Sequence, residues 1–276
     1  MLTLSGEPNF LTHMHAGFQN ASNLFFVMEL VTGGDLMHHV LEQGQLPEKA
    51  TKFYIAETCC GLWALHDRGI LYRDLKLDNV MLDSEGHVKL ADFGLAKEGL
   101  GPGQTTQTFC GTPDYIAPEI ITYLPYGHGI DWWSLGVMMY EMLTGEPPFD
   151  GDSEDELFNS ILTKKTKCPR YMKKESAMIV NRFLTKNPHD RLTDRTEIQD
   201  HRYFLNVDWA AAQDRKLKPP FRPRENIVAN FDPDYLKEKA CITPSADGEL
   251  AKIDQAAFKG FTFVPGTVEE HTFQAQ

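Results

Sequence analysis

The pattern of apolar and polar positions along the chain predicts a mainly helical protein with a few short strands. Residues 24–30, LFFVMEL, form an apolar run followed by a Gly-Gly pair, which is typical of a buried strand that opens into a linker. Between Pro47 and Arg68 apolar residues recur near helical spacing, and Gly69 follows as a helix-terminating residue. The sequence therefore predicts a buried strand, a linker and an amphipathic helix, in that order.

The rest of the chain continues this helical pattern. Residues 80–90 place polar residues and a glycine between two apolar pairs, which predicts a small hairpin. Residues 130–145 are apolar on almost every face, so a helix there has to lie inside the core. Helical patterns also fill residues 154–164 and 175–186. From Trp209 onward proline, charge and scattered aromatic residues dominate, which indicates an extended tail lying on a surface.

Composition narrows the choice of partners and compartment. The 27 Lys and Arg residues against 39 Asp and Glu residues leave a formal charge of −12, which disfavours nucleic acid and anionic membranes and favours basic partners. No segment has the pattern of a transmembrane span or a signal peptide. The five cysteines lack the spacing of a disulfide framework or a zinc site. We therefore expect a cytoplasmic protein that is recruited to membranes only through regions outside this chain.

Residues 72–79, YRDLKLDN, and the DFG that begins thirteen positions after Asn79 combine an acid, a base, an amide and a second acid. Phosphoryl transfer needs such a set, because its loose transition state depends on positioning and charge neutralisation. Asp74 is the candidate acceptor of the proton of the attacking hydroxyl, and Lys76 is the candidate cation for the moving phosphoryl group. Asn79 and Asp92 offer oxygen ligands for Mg²⁺. Taken singly these residues could form a solvated polar turn, but the whole string, followed in order by Ala-Pro-Glu, favours catalysis.

Several longer motifs surround this set. They are FCGTPDYIAPE at 109–119, the tyrosine variant of the His-Arg-Asp motif at Tyr72, DWW at 131–133, and the tail segments KPPFRPR at 218–224 and FKGFTF at 258–263. On these motifs the chain resembles the protein kinases of the group that contains the cyclic-nucleotide-dependent kinases and protein kinase C, and within that group it resembles protein kinase C. The two tail segments favour a resemblance to the novel, calcium-independent branch of protein kinase C.

The resemblance implies an α+β protein-kinase-like fold with a mainly α-helical large lobe, small β hairpins, most of the N-terminal β lobe missing and an extended C-terminal tail. It assigns residues 1–32 to a remnant of the small lobe and the hinge, 33–204 to the large lobe and 205–276 to the tail. The implied function is transfer of the γ-phosphate of ATP, with Mg²⁺, to Ser or Thr of basic protein substrates in intracellular signalling.

The resemblance also assigns binding residues. For the nucleotide they are the gatekeeper Met28, the hinge residues Glu29 and Val31, the ribose neighbour Asp35, Met81 under the adenine ring, and Phe231 of the tail. Met28 and Met81 would be ordinary core residues in any other fold. For the substrate, Asp78 and Glu141 match acidic positions that receive an arginine upstream of the target residue. The alternative is that Glu141 is simply a partner for a structural arginine.

Candidate switches and structural residues follow from the same resemblance. Thr108 resembles an activation-loop phosphothreonine made by an upstream kinase, with Arg73 and Lys97 as cations for its phosphate, and an unmodified threonine in a polar loop is the alternative. Thr243 and Thr262 resemble phosphorylation sites of the tail. The implied structural residues are the buried ion pair of Glu119 with Arg191, and Asp131 as the cap of the catalytic loop.

The chain departs from the family at its start. It contains no Gly-rich loop and no strand lysine for the nucleotide phosphates, and the lipid-binding regulatory modules of protein kinase C are absent. The tail aromatics Phe258, Phe261 and Phe263 then have no obvious groove, and their exposure is costly.

We expect a truncated gene model or a fragment of a complete kinase, with a short natural product as the alternative, and negligible phosphate transfer by the 276 residues alone. The second candidate function is a catalytically inactive fragment that binds substrates or kinases as an interaction module.

Overall fold

A computed structural model describes the chain over residues 9–101, 103–242 and 253–264. Its contacts divide these residues into two compact units. The larger unit holds residues 9–11 and 31–233, and the smaller unit holds residues 12–30 with the described residues from 234 onward. Within the described ranges no helix is long and apolar enough to cross a membrane. The lobe and tail boundaries implied by the resemblance stay a prediction.

Helices dominate the described residues. The strands are β1 (Met14–Gln19), β2 (Leu24–Met28), β3 (Val80–Leu82) and β4 (Val88–Leu90). The α-helices are α1 (Leu36–Gln43), α2 (Glu48–His66), α3 (Pro118–Ile121), α4 (Gly129–Thr144), α5 (Glu154–Thr163), α6 (Lys174–Phe183), α7 (Arg195–Gln199), α8 (Trp209–Gln213) and α9 (Pro233–Leu236). Short 3₁₀ turns cover Leu77–Asn79, Pro113–Tyr115, Arg202–Phe204, Ile227–Asn230 and Gln255–Phe258. The predicted mainly helical architecture with small hairpins is confirmed.

Helix α4 forms the centre of the larger unit, as its apolar pattern predicts. Every residue from Ile130 to Leu143 is buried, and the helix packs against α2 and α6. Gly136 permits the close approach of α6, because a Cβ at this position would lie 2.6 Å from Cβ of Phe183. The helix ends where Gly145 adopts a left-handed φ of 80° and donates its N–H to the carbonyl of Glu141. The predicted core helix is confirmed.

The predicted hairpin at residues 80–90 is also confirmed, as β3 paired antiparallel with β4. Its turn is closed by one side chain, because Oδ1 of Asp83 accepts the N–H groups of Glu85, Gly86 and His87 at 2.9 to 3.0 Å. Glu57 of α2 anchors the far strand by accepting from the Val88 N–H at 2.9 Å. The hairpin therefore fixes the chain segments immediately before β3 and after β4.

In the smaller unit, β1 and β2 form an antiparallel hairpin, and this corrects two expectations. The strand predicted at residues 24–30 exists, but it is not buried, since Phe26 is 53% exposed. Four of the five β2 residues are exposed. The tail aromatics do have a binding surface there: Phe263 exchanges backbone hydrogen bonds with Gly17 at 2.8 and 2.9 Å, and the Phe261 ring packs edge-on against Phe26 at 5.4 Å.

A buried ion pair joins α3 to the segment before α7. Both guanidinium nitrogens of Arg191 bind the carboxylate of Glu119, at 2.6 and 2.7 Å, and both residues are almost fully buried. The guanidinium also donates to the carbonyls of Thr185 and Gly129 and lies 5.2 Å from the ring centroid of Trp133. Because its donors are largely satisfied, the pair positions the two segments without leaving an uncompensated buried charge.

We predict that Arg191→Ala lowers the free energy of unfolding by about 3–5 kcal/mol, because it leaves the Glu119 carboxylate buried without its counter-charge. Chemical denaturation monitored by circular dichroism measures this loss. Arg195→Ala is the matched control: Arg195 binds Asp67 at 2.7 and 2.8 Å, but both side chains are largely exposed, so the expected change is below about 1 kcal/mol. Equal effects of the two variants would contradict the assigned role.

Candidate active site

The loop at residues 72–79 is held by Asp131 in the first turn of α4. The two carboxylate oxygens of Asp131 accept the backbone N–H groups of Tyr72 and Arg73 at 3.0 and 2.9 Å, and one of them also contacts Nε2 of His66 at 2.8 Å. Asp131 is fully buried, so these bonds form away from water. Arg73 has a left-handed φ of 71°, a conformation that needs external support in a residue other than glycine.

Four polar side chains converge at the centre of this loop. Asp74 is buried, and its carboxylate accepts from Nδ2 of Asn79 at 3.0 Å and from the hydroxyl of Thr112 at 2.7 Å. Lys76 donates to the same Thr112 hydroxyl at 3.1 Å and lies 3.6 Å from the carboxylate. Asn79 also donates to the backbone carbonyl of Asp74 at 2.8 Å. The arrangement holds a carboxylate in a single orientation with a cation beside it.

Asp92 lies directly beyond β4 and is linked to the same loop. The Ala91 N–H donates to the carbonyl of Asn79 at 2.9 Å, and the buried hydroxyl of Tyr72 donates to the Ala91 carbonyl. Asp92 itself is exposed, has a left-handed φ of 50°, and accepts from the Gly94 N–H at 3.0 Å. The candidate base Asp74 and the candidate metal ligands Asn79 and Asp92 therefore lie on two segments, residues 72–79 and the residues after β4, that are joined by hydrogen bonds.

The donor set fits Mg²⁺. Because Nδ2 of Asn79 is committed to Asp74, the amide oxygen faces away from that contact, and the Asp92 carboxylate is accessible to solvent. Magnesium binds through one or two protein oxygens together with water and substrate phosphates. No cluster of three or more His, Cys, Asp or Glu side chains suited to a metal occurs in the described ranges, so a dedicated all-protein cage is not present there.

The candidate nucleotide residues fall into the two units. In the larger unit Val31 is buried and Asp35 pairs with Met81 in an isolated β-bridge, while the Asp35 side chain caps α1 by accepting the His38 N–H at 2.8 Å. Phe231, also in this unit, is half-buried and follows the buried Asn230.

Met28 and Glu29 lie in the smaller unit. Met28 is 44% exposed, so it is not a core residue of that unit. The Glu29 side chain accepts the His13 N–H at 2.6 Å, and the Glu29 N–H donates to the His13 carbonyl at 2.9 Å. Glu29 is thus bound to the residue that precedes β1 within its own unit.

The candidate substrate acids share one electrostatic environment. Burial raises the pKa of Glu141, a hydrogen bond from the Tyr115 hydroxyl acts in the opposite direction, and the charges of Asp78 and Asp114 raise it further. The partner of Glu141 is therefore a tyrosine and not the structural arginine of the alternative interpretation. Asp78 is exposed to solvent, where it can meet an incoming cation.

The segment that follows Asp92 and holds the candidate phosphorylation site Thr108 is bonded to the same loop. The Thr108 side chain is exposed, and its carbonyl accepts from the Tyr126 hydroxyl at 2.5 Å. Arg73 donates through Nε to the Leu95 carbonyl at 2.5 Å, and its buried Nη1 has no hydrogen-bond partner in the described part of the chain. Lys97 is fixed by two backbone bonds to Leu71 at 2.8 and 2.9 Å.

The two tail phosphorylation candidates differ in what the structure shows. Thr262 is exposed, and it lies in the segment that pairs with β1 of the smaller unit. Thr243 lies outside the described residues.

Comparison with known proteins agrees with this geometry. The protein kinase domain family matches residues 1–204, and the protein kinase C terminal domain family matches residues 228–263. The chain belongs to the protein kinase family. It is 48% identical over 272 residues to the protein kinase C eta type of Mus musculus, covering 96% of this chain and 40% of the relative. It is 47% identical to the epsilon type of Oryctolagus cuniculus, covering 95% and 37%, and 48% identical to the delta type of Homo sapiens, covering 96% and 40%. This kinase-family chain therefore spans about two fifths of the length of these relatives.

Sequence reasoning missed three residues of this candidate site. Thr112 bonds both Asp74 and Lys76, Tyr115 bonds Glu141, and Asp114 is a third acid whose charge, like that of Asp78, raises the pKa of Glu141. All three lie inside the FCGTPDYIAPE string, which was recognised as a motif without roles for its polar members. Only the folded segment shows which side chains they face.

We predict that Asp131→Ala opens the loop at residues 72–79 to hydrogen exchange with solvent, since the amides of Tyr72 and Arg73 lose their acceptor. Hydrogen exchange of these two amides should accelerate by about tenfold or more. Nuclear magnetic resonance or mass spectrometry of the loop measures the rates. Asp67→Ala, which removes an exposed carboxylate bound only to Arg195 among the described residues, should leave both amides protected. Unchanged exchange in Asp131→Ala would contradict the anchoring role.

Proposed function

We propose that this chain provides the catalytic loop, the metal ligands and the substrate-binding acids of a serine/threonine protein kinase that transfers the γ-phosphoryl group of ATP to basic proteins. The observation that carries the proposal is the cluster formed by the buried Asp74 and Asn79 with the half-buried Thr112 and Lys76, bonded to one another and anchored through the loop backbone to Asp131. A solvated polar turn has no reason to bury a carboxylate in this way.

In the proposed reaction Asp74 orients the substrate hydroxyl and takes its proton as the oxygen attacks phosphorus. Asn79 and Thr112 fix the carboxylate orientation, and Lys76 stabilises negative charge on the transferred phosphoryl group. Asn79 and Asp92 would hold Mg²⁺, which when bound neutralises charge on the phosphate oxygens. The bond to the leaving phosphate breaks as the new phosphate ester forms.

Binding and regulation follow from the surrounding residues. We assign Met28, Glu29, Val31, Asp35, Met81 and Phe231 to the nucleotide. Asp78 and Glu141, joined by Asp114, provide the negative charge that attracts an arginine of a basic substrate. Phosphorylation of Thr108 by an upstream kinase, and of Thr243 and Thr262 in the tail, is proposed as the means of activation. A cytoplasmic location is proposed because the five cysteines lack the spacing of a disulfide framework.

The unpartnered Nη1 of Arg73 supports the activation proposal. A guanidinium nitrogen that is buried without a bond is a costly feature unless a ligand satisfies it at some stage. A phosphate on the activation segment carries about two negative charges and three acceptor oxygens, which suit a guanidinium. Because Arg73 precedes Asp74 in the chain, order in the activation segment would be coupled to the position of the base.

A chimera tests the catalytic assignment. Residues 1–276 replace the matched segment of the mouse protein kinase C eta type, and phosphorylation of a basic serine peptide is measured with Mg²⁺ and ATP. We predict that the chimera is active and that Asp74→Asn lowers kcat by about 10²–10⁴-fold with little change in KM, because the base is lost and the fold is not.

Two further variants complete this experiment. Asp67→Asn makes the same chemical change at an exposed carboxylate and should leave kcat within about twofold. Thr108→Ala removes the hydroxyl that is proposed to be phosphorylated, so it should lower activity. A folded, nucleotide-binding chimera that lacks activity, or an Asp74→Asn chimera as active as its parent, would contradict the proposal.

The raised pKa of Glu141 predicts a pH dependence of substrate binding. Below its raised pKa the carboxyl is protonated and neutral, so affinity for an arginine-containing peptide should increase as pH rises above the ordinary glutamate value of 4.5. Peptide binding by calorimetry between about pH 5 and about pH 7 measures this trend. Glu141→Gln should weaken binding and flatten the profile, whereas Asp155→Asn, at an exposed acid in the first turn of α5, should change neither. A profile in Glu141→Gln identical to the parent would contradict the assignment.

A further inference from the structure

The segment between α5 and α6 is an exposed basic stretch on an acidic chain. Residues 164–174 hold six of the 27 Lys and Arg residues and none of the 39 Asp and Glu residues. All six cations are exposed to solvent. Lys164 pairs with Asp150 at 3.2 Å and Lys173 with Glu48 at 3.4 Å, and the other four have no ion-pair partner within the described residues. Such a local excess creates a positive potential on a protein whose net charge is negative.

A groove of about 500 Å³ lies beside the end of this stretch. Its rim includes Lys173 together with Lys52 of α2 and Arg202. The Arg202 side chain is exposed and its guanidinium forms no hydrogen bond or ion pair with the residues that the structure describes. Lys52 lies with Nζ 5.1 Å from the ring centroid of Tyr203, a contact that leaves its three N–H donors available. Cations therefore surround a concave site on more than one side.

The inner surface of the groove is partly apolar. Tyr203 contributes a buried ring, and Leu205 is 68% exposed beside it. Two acids also line the groove, but the Glu48 carboxylate already binds the Ser176 hydroxyl and Lys173. Glu175 is then the one lining acid without such a bond among the described residues that form the groove. The site combines available cations with an apolar contact surface.

We propose that this groove and the stretch 164–174, together the α5–α6 basic surface, bind a short acidic segment of another protein that has an apolar or aromatic residue among its Asp and Glu residues. The carboxylates meet Lys52, Arg170 and Arg202, and the apolar side chain covers Leu205. A concave groove of this size fits one or two side chains of a peptide better than it fits a flat membrane. A second copy of the chain is disfavoured, because two molecules of charge −12 repel each other.

Fluorescence anisotropy with the purified full chain tests the proposal. The probe is a fluorescein-labelled peptide with one tryptophan among glutamates, and its affinity should fall with rising salt. Arg170→Glu/Arg202→Glu should weaken binding by about tenfold or more, whereas Arg170→Lys/Arg202→Lys should stay within about threefold. Lys216→Glu/Lys218→Glu makes the same change of charge at exposed lysines outside the surface and should bind as the parent does. Thermal unfolding verifies that each variant is folded.

Two parallel measurements assign the occupant. Phosphatidylcholine vesicles containing phosphatidylserine should not bind, and sedimentation should show a monomer at the concentrations used. Peptide binding that is lost only in Arg170→Glu/Arg202→Glu supports the proposal. Vesicle binding in place of peptide binding, self-association that the same variant abolishes, equal peptide binding in all variants, or no peptide binding by the parent would each overturn it.

Discussion

The buried carboxylate of Asp131 is the contact on which the geometry of the site depends. The loop at residues 72–79 has no regular secondary structure between Tyr72 and Lys76, and one of its residues, Arg73, has a left-handed backbone. A carboxylate that accepts two successive N–H groups compensates for this strain in a region that water does not reach. Asp131 belongs to α4, which is buried from Ile130 to Leu143. The position of the loop is therefore fixed by a helix at the centre of the hydrophobic core.

Much of this architecture could be predicted from the sequence. A segment that is apolar on all faces has one stable location, so α4 was predictable as a core helix from composition alone. The hairpin β3–β4 was predictable because turn residues separate two apolar pairs, and Asp83 indeed closes the turn through its side chain. Asp74, Lys76, Asn79 and Asp92 could be selected because few reactions need that set of groups at that spacing.

Other features depend on contacts that no local pattern encodes. The apolar run at 24–30 looks like a buried strand, but burial is decided by what packs on a sheet, and the contacts of the tail leave four of the five β2 residues exposed. Thr112 is an ordinary polar residue by composition, and it becomes part of the site only because the activation segment folds back onto Asp74. The pairing of Phe263 with Gly17 joins residues about 246 positions apart, so no local sequence pattern could predict it.

The tyrosine at position 72 has a consequence for how the site moves. Its hydroxyl is bonded to the carbonyl of Ala91, the residue before Asp92, and the ring is fully buried. If the Asp92 segment moved outward alone, the hydroxyl of the buried Tyr72 would lose its acceptor, at a cost of about 1–3 kcal/mol. Movement of the Asp92 segment is therefore coupled to the loop at residues 72–79: the segment is displaced at lower cost when the loop moves with it than when the bond from Tyr72 has to break.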